Sequence, residues 1–227
     1  MSDITTDSQQ SGERTETATT NSIKKELFFP TPVYYVDIEG GAALNQYLKT
    51  RIYAWRDADQ AGIQRSNART HGSWHSATTM NQRPEYALFK NKVDQALSEV
   101  FRDQYYKSTQ TVKCHNMWAN INPPGGYNRG HTHPGSLWSG VYYVQAPEAC
   151  GQVIFQDPRA QANVILAEHE PESNLSAEQW AEIYHRPVEG RLILFPSWLR
   201  HEVQPNLSKL ASPNGDRISI SFNYGQT

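Results

Sequence analysis

The chain has 227 residues, with 21 Lys and Arg against 23 Asp and Glu and a formal net charge of -2. Its basic residues are scattered, so no electrostatic footprint draws it onto phosphate backbone or anionic lipid, and bulk nucleic-acid binding is not expected. No apolar run approaches the ~18 residues of a membrane span, and the N-terminus lacks the basic and apolar regions of a signal peptide, so the expected address is cytoplasmic and no membrane partner is expected.

The length suffices for one substantial core. Residues 1–24 are rich in Ser, Thr, Gln, Asp and Glu, with Ile4 and Ile23 as the large apolar residues after Met1. They are expected to form a disordered tail, because they cannot offset the entropy of ordering. A single domain is expected over 25–227, with an N-terminal arm and helices at 25–110 and a β core at 111–227. Leu27 to Val36 is aromatic and β-branched but interrupted by Pro30 and Pro32, which suits an edge strand or extended arm.

Two helical patterns follow. Leu44, Tyr47, Leu48, Ile52 and Trp55 repeat at helical spacing, and after Pro84 so do Leu88, Phe89, Val93, Leu97, Val100 and Phe101. Each predicts one apolar stripe that covers the outside of a sheet. The intervening segment with His71, Trp74 and His75 reads as a surface loop outside any site.

From Thr111 the pattern changes to short strands: TVKCHNMWANIN, LWSGVYYV, QVIF, RLILF, HEV and RISISFNYG. Six such signals between Pro and Gly turns predict an antiparallel barrel or double-sheet jelly roll. A short helix is expected at Ser176 to His185, where Ser176 and Gln179 make a capping box and Leu175 and Trp180 have staple spacing. Cys114 and Cys150 share no framework spacing and are read as buried reduced thiols.

Three stretches carry chemistry. In Gly130-His131-Thr132-His133-Pro134-Gly135, residues two apart in extended chain face one side, so both histidines can point into a barrel mouth, where imidazole suits Fe, Zn, Cu or Ni. In Gly190 to Val203, a buried strand ends at Pro196 and His201 opens the next strand. If both strands belong to one barrel, His201 returns to the same mouth. In Arg217-Ile218-Ser219-Ile220-Ser221-Phe222, alternation puts Ile218, Ile220 and Phe222 on one face and Arg217, Ser219 and Ser221 on the other. An inward Arg217 is costly unless paired, and a bidentate carboxylate with help from the Ser219 hydroxyl would satisfy it.

This order of motifs resembles the double-stranded β-helix core of the 2-oxoglutarate and Fe(II)-dependent oxygenase superfamily, which includes prolyl-hydroxylase-like enzymes. The strings His131-Thr132-His133-Pro134-Gly135-Ser136, Ser139-Gly140-Val141-Tyr142-Tyr143-Val144, Phe155-Gln156-Asp157-Pro158-Arg159 and Phe195-Pro196-Ser197-Trp198-Leu199-Arg200-His201 resemble a little-characterised family of oxygenases within it. The resemblance implies a mainly β jelly roll with helices on the outside of one sheet. It also implies Fe(II), 2-oxoglutarate and O2 as cofactor and cosubstrates, and hydroxylation of a small-molecule or peptide substrate with release of succinate and CO2. By the same resemblance His131 and His201 are iron ligands, and Arg217 with Ser219 clamps the remote carboxylate of 2-oxoglutarate. Tyr142 or Tyr143 and Asn116, Trp118 or Asn120 would line the pocket. A homodimer is left open.

The chain departs from the family's usual carboxylate two residues after the first histidine, since His133 stands there. The third ligand is His133, Asp157 or water, and His133 is favoured by its spacing; Asp157 can instead pair with Arg159 or orient a ligand. Two other readings compete. One is a cupin-like three-His dioxygenase that does not use 2-oxoglutarate, against which Arg217 and Ser219 argue. The other is a non-catalytic jelly-roll binding module.

Overall fold

A computed structural model describes residues 23–165, 167–170 and 175–226. Most of the expected N-terminal tail therefore lies outside the described residues. The chain divides into two units, Met1–Pro30 and Thr31–Thr227. In the first, described residues 23–30 are exposed and form no helix or strand, and the Phe28 and Phe29 rings lie 6.4 Å apart.

The second unit is built from ten strands and three helices among the described residues. They run in the order β1 (Tyr34–Asp37), α1 (Gly41–Ala58), α2 (Gly62–Arg65), β2 (Trp74–His75), α3 (Ala87–Asp103), β3 (Val112–Asn122), β4 (Asn128–His131), β5 (Trp138–Gln145), β6 (Val153–Gln156), β7 (Glu182–His185), β8 (Arg191–Pro196), β9 (His201–Val203) and β10 (Arg217–Gln226). A six-stranded antiparallel sheet has the order β1-β8-β5-β10-β3-β2, and a four-stranded one β4-β9-β6-β7. These are the two sheets of a jelly roll.

Period-two alternation in the central strands creates two cores. On β10 the residues Ile218, Ile220 and Phe222, and on β3 the residues Met117, Ala119 and Ile121, join a cluster with Leu44, Leu48 and Ile52 of α1 and Phe89, Val93, Leu97, Val100 and Phe101 of α3. Each such buried side chain contributes about 1.5–3 kcal/mol, so this face fixes the register of the large sheet. Tyr47 and Leu88, at the margins of the expected stripes, remain 41% and 63% exposed. A second core of Tyr143, Val153, Phe155, Ile193, Phe195 and Leu199 draws on both sheets.

The expected helix at Ser176 to His185 does not form. A single 3-10 turn spans Ala177–Gln179, with the Ser176 N–H donating to Gln179 Oε1 at 3.2 Å and the Trp180 indole N–H donating to the Leu175 carbonyl at 3.1 Å. Glu182–His185 then extends as β7 and pairs with β6. The capping signal was correct but stopped after one turn, because β6 needs a neighbour and Ile183 and Tyr184 favour strand. The expected loop around Trp74 and His75 also pairs, as β2 against β3 at Ile121 and Asn120.

Candidate metal centre

Strands β4 and β9 lie side by side with His131 directly opposite His201. His133 lies two residues past the end of β4, where its backbone N–H donates to the Ser197 carbonyl at 2.9 Å and ties it to the turn between β8 and β9. Ring centroids are 4.5 Å apart for His131 and His201, 4.8 Å for His131 and His133, and 5.1 Å for His133 and His201. Among the described residues these three form the group whose ligand atoms converge, all within 4.8 Å of one another.

Hydrogen bonding sets the tautomers. The His131 and His201 Nδ1 atoms face the carbonyls of Arg129 and Leu199 at 2.6 and 2.8 Å. A carbonyl only accepts, so Nδ1 carries the proton in both rings and the Nε2 lone pair is free. Burial, with some help from His131, pulls His133 down to about 4. Burial also pulls His201 down to about 3, opposed by the Leu199 carbonyl and helped by His131 and His133. Both rings are therefore neutral near pH 7, the form that ligates a metal. His133 Nε2 and His201 Nε2 stand 3.3 Å apart, and an ion about 2.1 Å from each would subtend an angle of about 100°. The donor set fits one divalent ion held on a single face. Phe195 and Phe155 pack on His201 at 4.6 and 6.2 Å and shield it from water.

Asp157, the alternative third ligand, is engaged elsewhere. It accepts from Arg159 through the backbone N–H and Nε on Oδ1, at 2.9 and 3.0 Å, and through Nη2 on Oδ2 at 2.8 Å. The Arg159 hydrogen bonds hold the Asp157 carboxyl below the usual carboxylate range, so it stays ionised and paired.

The pocket beside the histidines is lined by Trp118, Asn120, Tyr143, Arg217, Ser219 and Ser221, among others. The strand register explains the set: Arg217, Ser219 and Ser221 of β10 stand opposite Asn122, Asn120 and Trp118 of β3. Arg217 is 1% exposed, and its Nη1 donates to the carbonyls of Cys150 and Gln204, the latter at 2.9 Å, with a longer Nη2 contact to the Gly126 carbonyl at 3.5 Å. Gly151, at φ +87°, is required at this point: a Cβ there would lie 2.4 Å from the Gln204 carbonyl oxygen and 2.8 Å from Arg217 Nη1.

Ser219 and Asn120 lie where the sequence puts them, on the pocket wall. Tyr142 does not: it sits in the helix-side core, its hydroxyl donating to Asn45 Oδ1 at 2.7 Å and its ring 4.9 Å from Phe89. The register pairs Ser219 with Tyr143 and Ile220 with Tyr142, so parity assigns Tyr143 to the pocket. No hydrogen bond among the described residues takes up the Tyr143 hydroxyl. Burial pushes that phenol up to about 12 against the pull of Arg217, which keeps it a donor. Asn116 is also displaced from the expected set, because it stands at the outer end of this face, where its Oδ1 accepts from Asn223 Nδ2 at 2.8 Å.

One neighbour of the site comes from the segment that the sequence reads as a surface loop. His75 stacks on Trp118 at 5.6 Å and 12°, and Trp118 in turn lies 5.9 Å from His133. The available signal was Ser73-Trp74-His75-Ser76, a single large apolar residue in a polar run, which is what a two-residue edge strand looks like.

Two antiparallel sheets with three converging imidazoles at one end of a pocket define a jelly-roll protein whose histidine group could hold a metal ion. Residues 116–223, from within β3 into β10, match the model of a family described as "Putative 2OG-Fe(II) oxygenase". No curated protein matches the chain by sequence. Among solved structures the chain is similar to a Pseudomonas putida prolyl-4-hydroxylase, at 18% identity and TM-score 0.56 over 85% of this chain and 92% of that one. It is similar also to HygX from Streptomyces hygroscopicus with nickel and 2-oxoglutarate bound, at 13% identity and TM-score 0.54 over 86% and 82%. At these identities the likeness is one of fold.

Proposed function

We propose that this protein is an Fe(II)- and 2-oxoglutarate-dependent oxygenase that hydroxylates a C–H bond of a small-molecule or peptide substrate. The observation that carries the reading is the pairing, in one pocket, of three converging histidines at one end with a buried arginine and an unspent phenol at the other. His131, His133 and His201 would hold the iron. When bound, Fe(II) supplies the redox chemistry that couples oxidative decarboxylation of 2-oxoglutarate by O2, yielding succinate and CO2, to oxidation of the substrate.

The rest of the work belongs to the chain's own side chains. Arg217 and Tyr143 present a cation and a hydroxyl donor to the remote carboxylate, and Ser219 adds a third polar contact. Arg217 and Ser221 are four residue steps apart on β10, about 14 Å of strand. Asn120 stands on the intervening rung, beside the keto-acid end. Phe155, Phe195 and Val153 exclude water from the far wall. A cupin-like reading has no use for Arg217 at this place. The solved HygX structure holds nickel and 2-oxoglutarate, and 2-oxoglutarate beside a divalent metal, here Fe(II), is proposed for this pocket.

The test is conversion of 2-oxoglutarate to succinate by the Fe(II)-loaded protein, followed by mass spectrometry with and without chelator. Metal-dependent succinate formation is expected. Tight iron binding without succinate across candidate substrates would favour the cupin-like reading, and failure to bind iron would favour a binding module.

A further inference from the structure

The segment between α2 and α3 is anchored as firmly as the sheet it borders. Trp74 is buried, its indole N–H donates to the Asp59 carbonyl at 2.8 Å, and Gly62 lies so close that a Cβ there would overlap the ring. The Ser76 hydroxyl accepts from the Ala119 N–H at 3.0 Å while the Ser76 N–H donates to the Ala119 carbonyl at 2.9 Å. Arg65 Nε donates to the His75 carbonyl at 3.0 Å. His75 is therefore presented by fixed backbone, and its ring is fixed too, because Nδ1 faces the Ser76 carbonyl at 2.6 Å and must donate to it.

The near-parallel stack then places that ring on Trp118. On the β3 and β10 ladder Trp118 stands four residue pairs from Arg217, opposite Ser221 and beside His133, at the end of the pocket away from the carboxylate clamp. A cosubstrate reaching from Arg217 toward the histidines leaves this end for the molecule to be oxidised. Without a ring behind it, the indole has two free torsions and no hydrogen bond among the described residues to hold it.

We infer that His75 is a positioning residue for the primary substrate: its imidazole holds Trp118 beside His133 as the wall against which the carbon to be oxidised lies. The inference rests on the oxygenase reading of the pocket. It assigns the Ser73 to Ser76 segment, far from the motifs in sequence, to the substrate side of the site.

Quenching of tryptophan fluorescence by Co(II), a paramagnetic stand-in for iron, reads the placement of Trp118, with Trp118→Phe defining that residue's share of the signal. In His75→Ala the share of quenching due to Trp118 should fall by at least half. The Co(II) affinity should stay within about twofold, because no ligand atom is touched. His75→Phe, which keeps a ring but loses the Nδ1 donor, should restore most of the quenching. In metal-free protein, acrylamide should reach Trp118 more readily in His75→Ala than in the parent. Undiminished Co(II) quenching in His75→Ala, or equal acrylamide access, overturns the inference. If the parent shows no saturable Co(II) binding, the metal-centre reading fails instead, and the acrylamide comparison alone decides the role of His75.

Discussion

Removing the Arg217 guanidinium should weaken 2-oxoglutarate binding and the fold together, because the side chain faces two ways. Toward the pocket it would pair with a carboxylate. Truncating one partner of a buried charge-assisted pair costs about 2–5 kcal/mol, or about 30-fold to several thousand-fold in affinity. Toward the protein it donates to the Cys150 and Gln204 carbonyls, and hydrogen bonds to charged groups contribute about 1.5–3 kcal/mol each. Arg217→Ala leaves both acceptors buried, and for a chain of this size the loss should lower Tm by on the order of 10 °C. Arg217→Lys should recover part of each effect, since a point charge cannot reproduce the planar fork. Iron affinity should change little, because Arg217 is not among the converging donors. The assay is anaerobic titration of 2-oxoglutarate into Fe(II)-loaded protein, following the metal-to-ligand charge-transfer band, with a thermal melt of the same samples. Equal 2-oxoglutarate affinity in folded Arg217→Ala and parent would refute the clamp, and an unchanged Tm would refute the tie to the carbonyls.

For the third ligand, His133→Ala should lose much more metal affinity than Asp157→Ala, measured by competition with a chromophoric chelator; the reverse ranking would return the carboxylate to the triad. His131→Ala and His201→Ala should each abolish binding at micromolar metal while leaving the circular dichroism spectrum intact. Tyr143→Phe should weaken 2-oxoglutarate binding about tenfold or more, as expected for loss of a hydrogen bond to a charged group. Tyr142→Phe should instead lower Tm without affecting 2-oxoglutarate, since its hydroxyl bonds Asn45; an effect of Tyr142→Phe on cosubstrate affinity would count against the assignment of Tyr143.

Strand-borne features were legible in the sequence because parity ties a side chain's chemistry to its face. Ile218, Ile220 and Phe222 turn to the helices and Arg217, Ser219 and Ser221 to the pocket, as alternation alone requires. The adjacent Tyr142 and Tyr143 defeated that logic: both are buried and aromatic, so polarity gives no parity signal, and the choice needs the register with Ser219. β7 was illegible because its partner β6 lies some 30 residues earlier, and a local capping signal outweighed a long-range pairing that leaves no trace in a window. The pairing of Trp74 and His75 as β2 left only a faint local signal, since a two-residue strand has no periodicity to read. Asp157 was readable both as a candidate ligand and as a partner of Arg159, and the turn that brings the guanidinium onto its carboxylate decides for the second.

The opposed placement of His131 and His201 divides the proposed metal centre into a fixed part and a replaceable one. Directly facing residues on antiparallel strands are about 4.5–5.5 Å apart at Cα whatever the side chains are, so the spacing of the backbone positions that carry these two rings is set by the pairing of β4 and β9. His133 lies beyond that ladder, in a turn held by its own N–H on the Ser197 carbonyl, a bond that any residue other than proline can make. The third position can therefore exchange imidazole for carboxylate without disturbing either sheet. The electronic character of the centre is adjustable at one turn residue, while its dimensions are inherited from the fold.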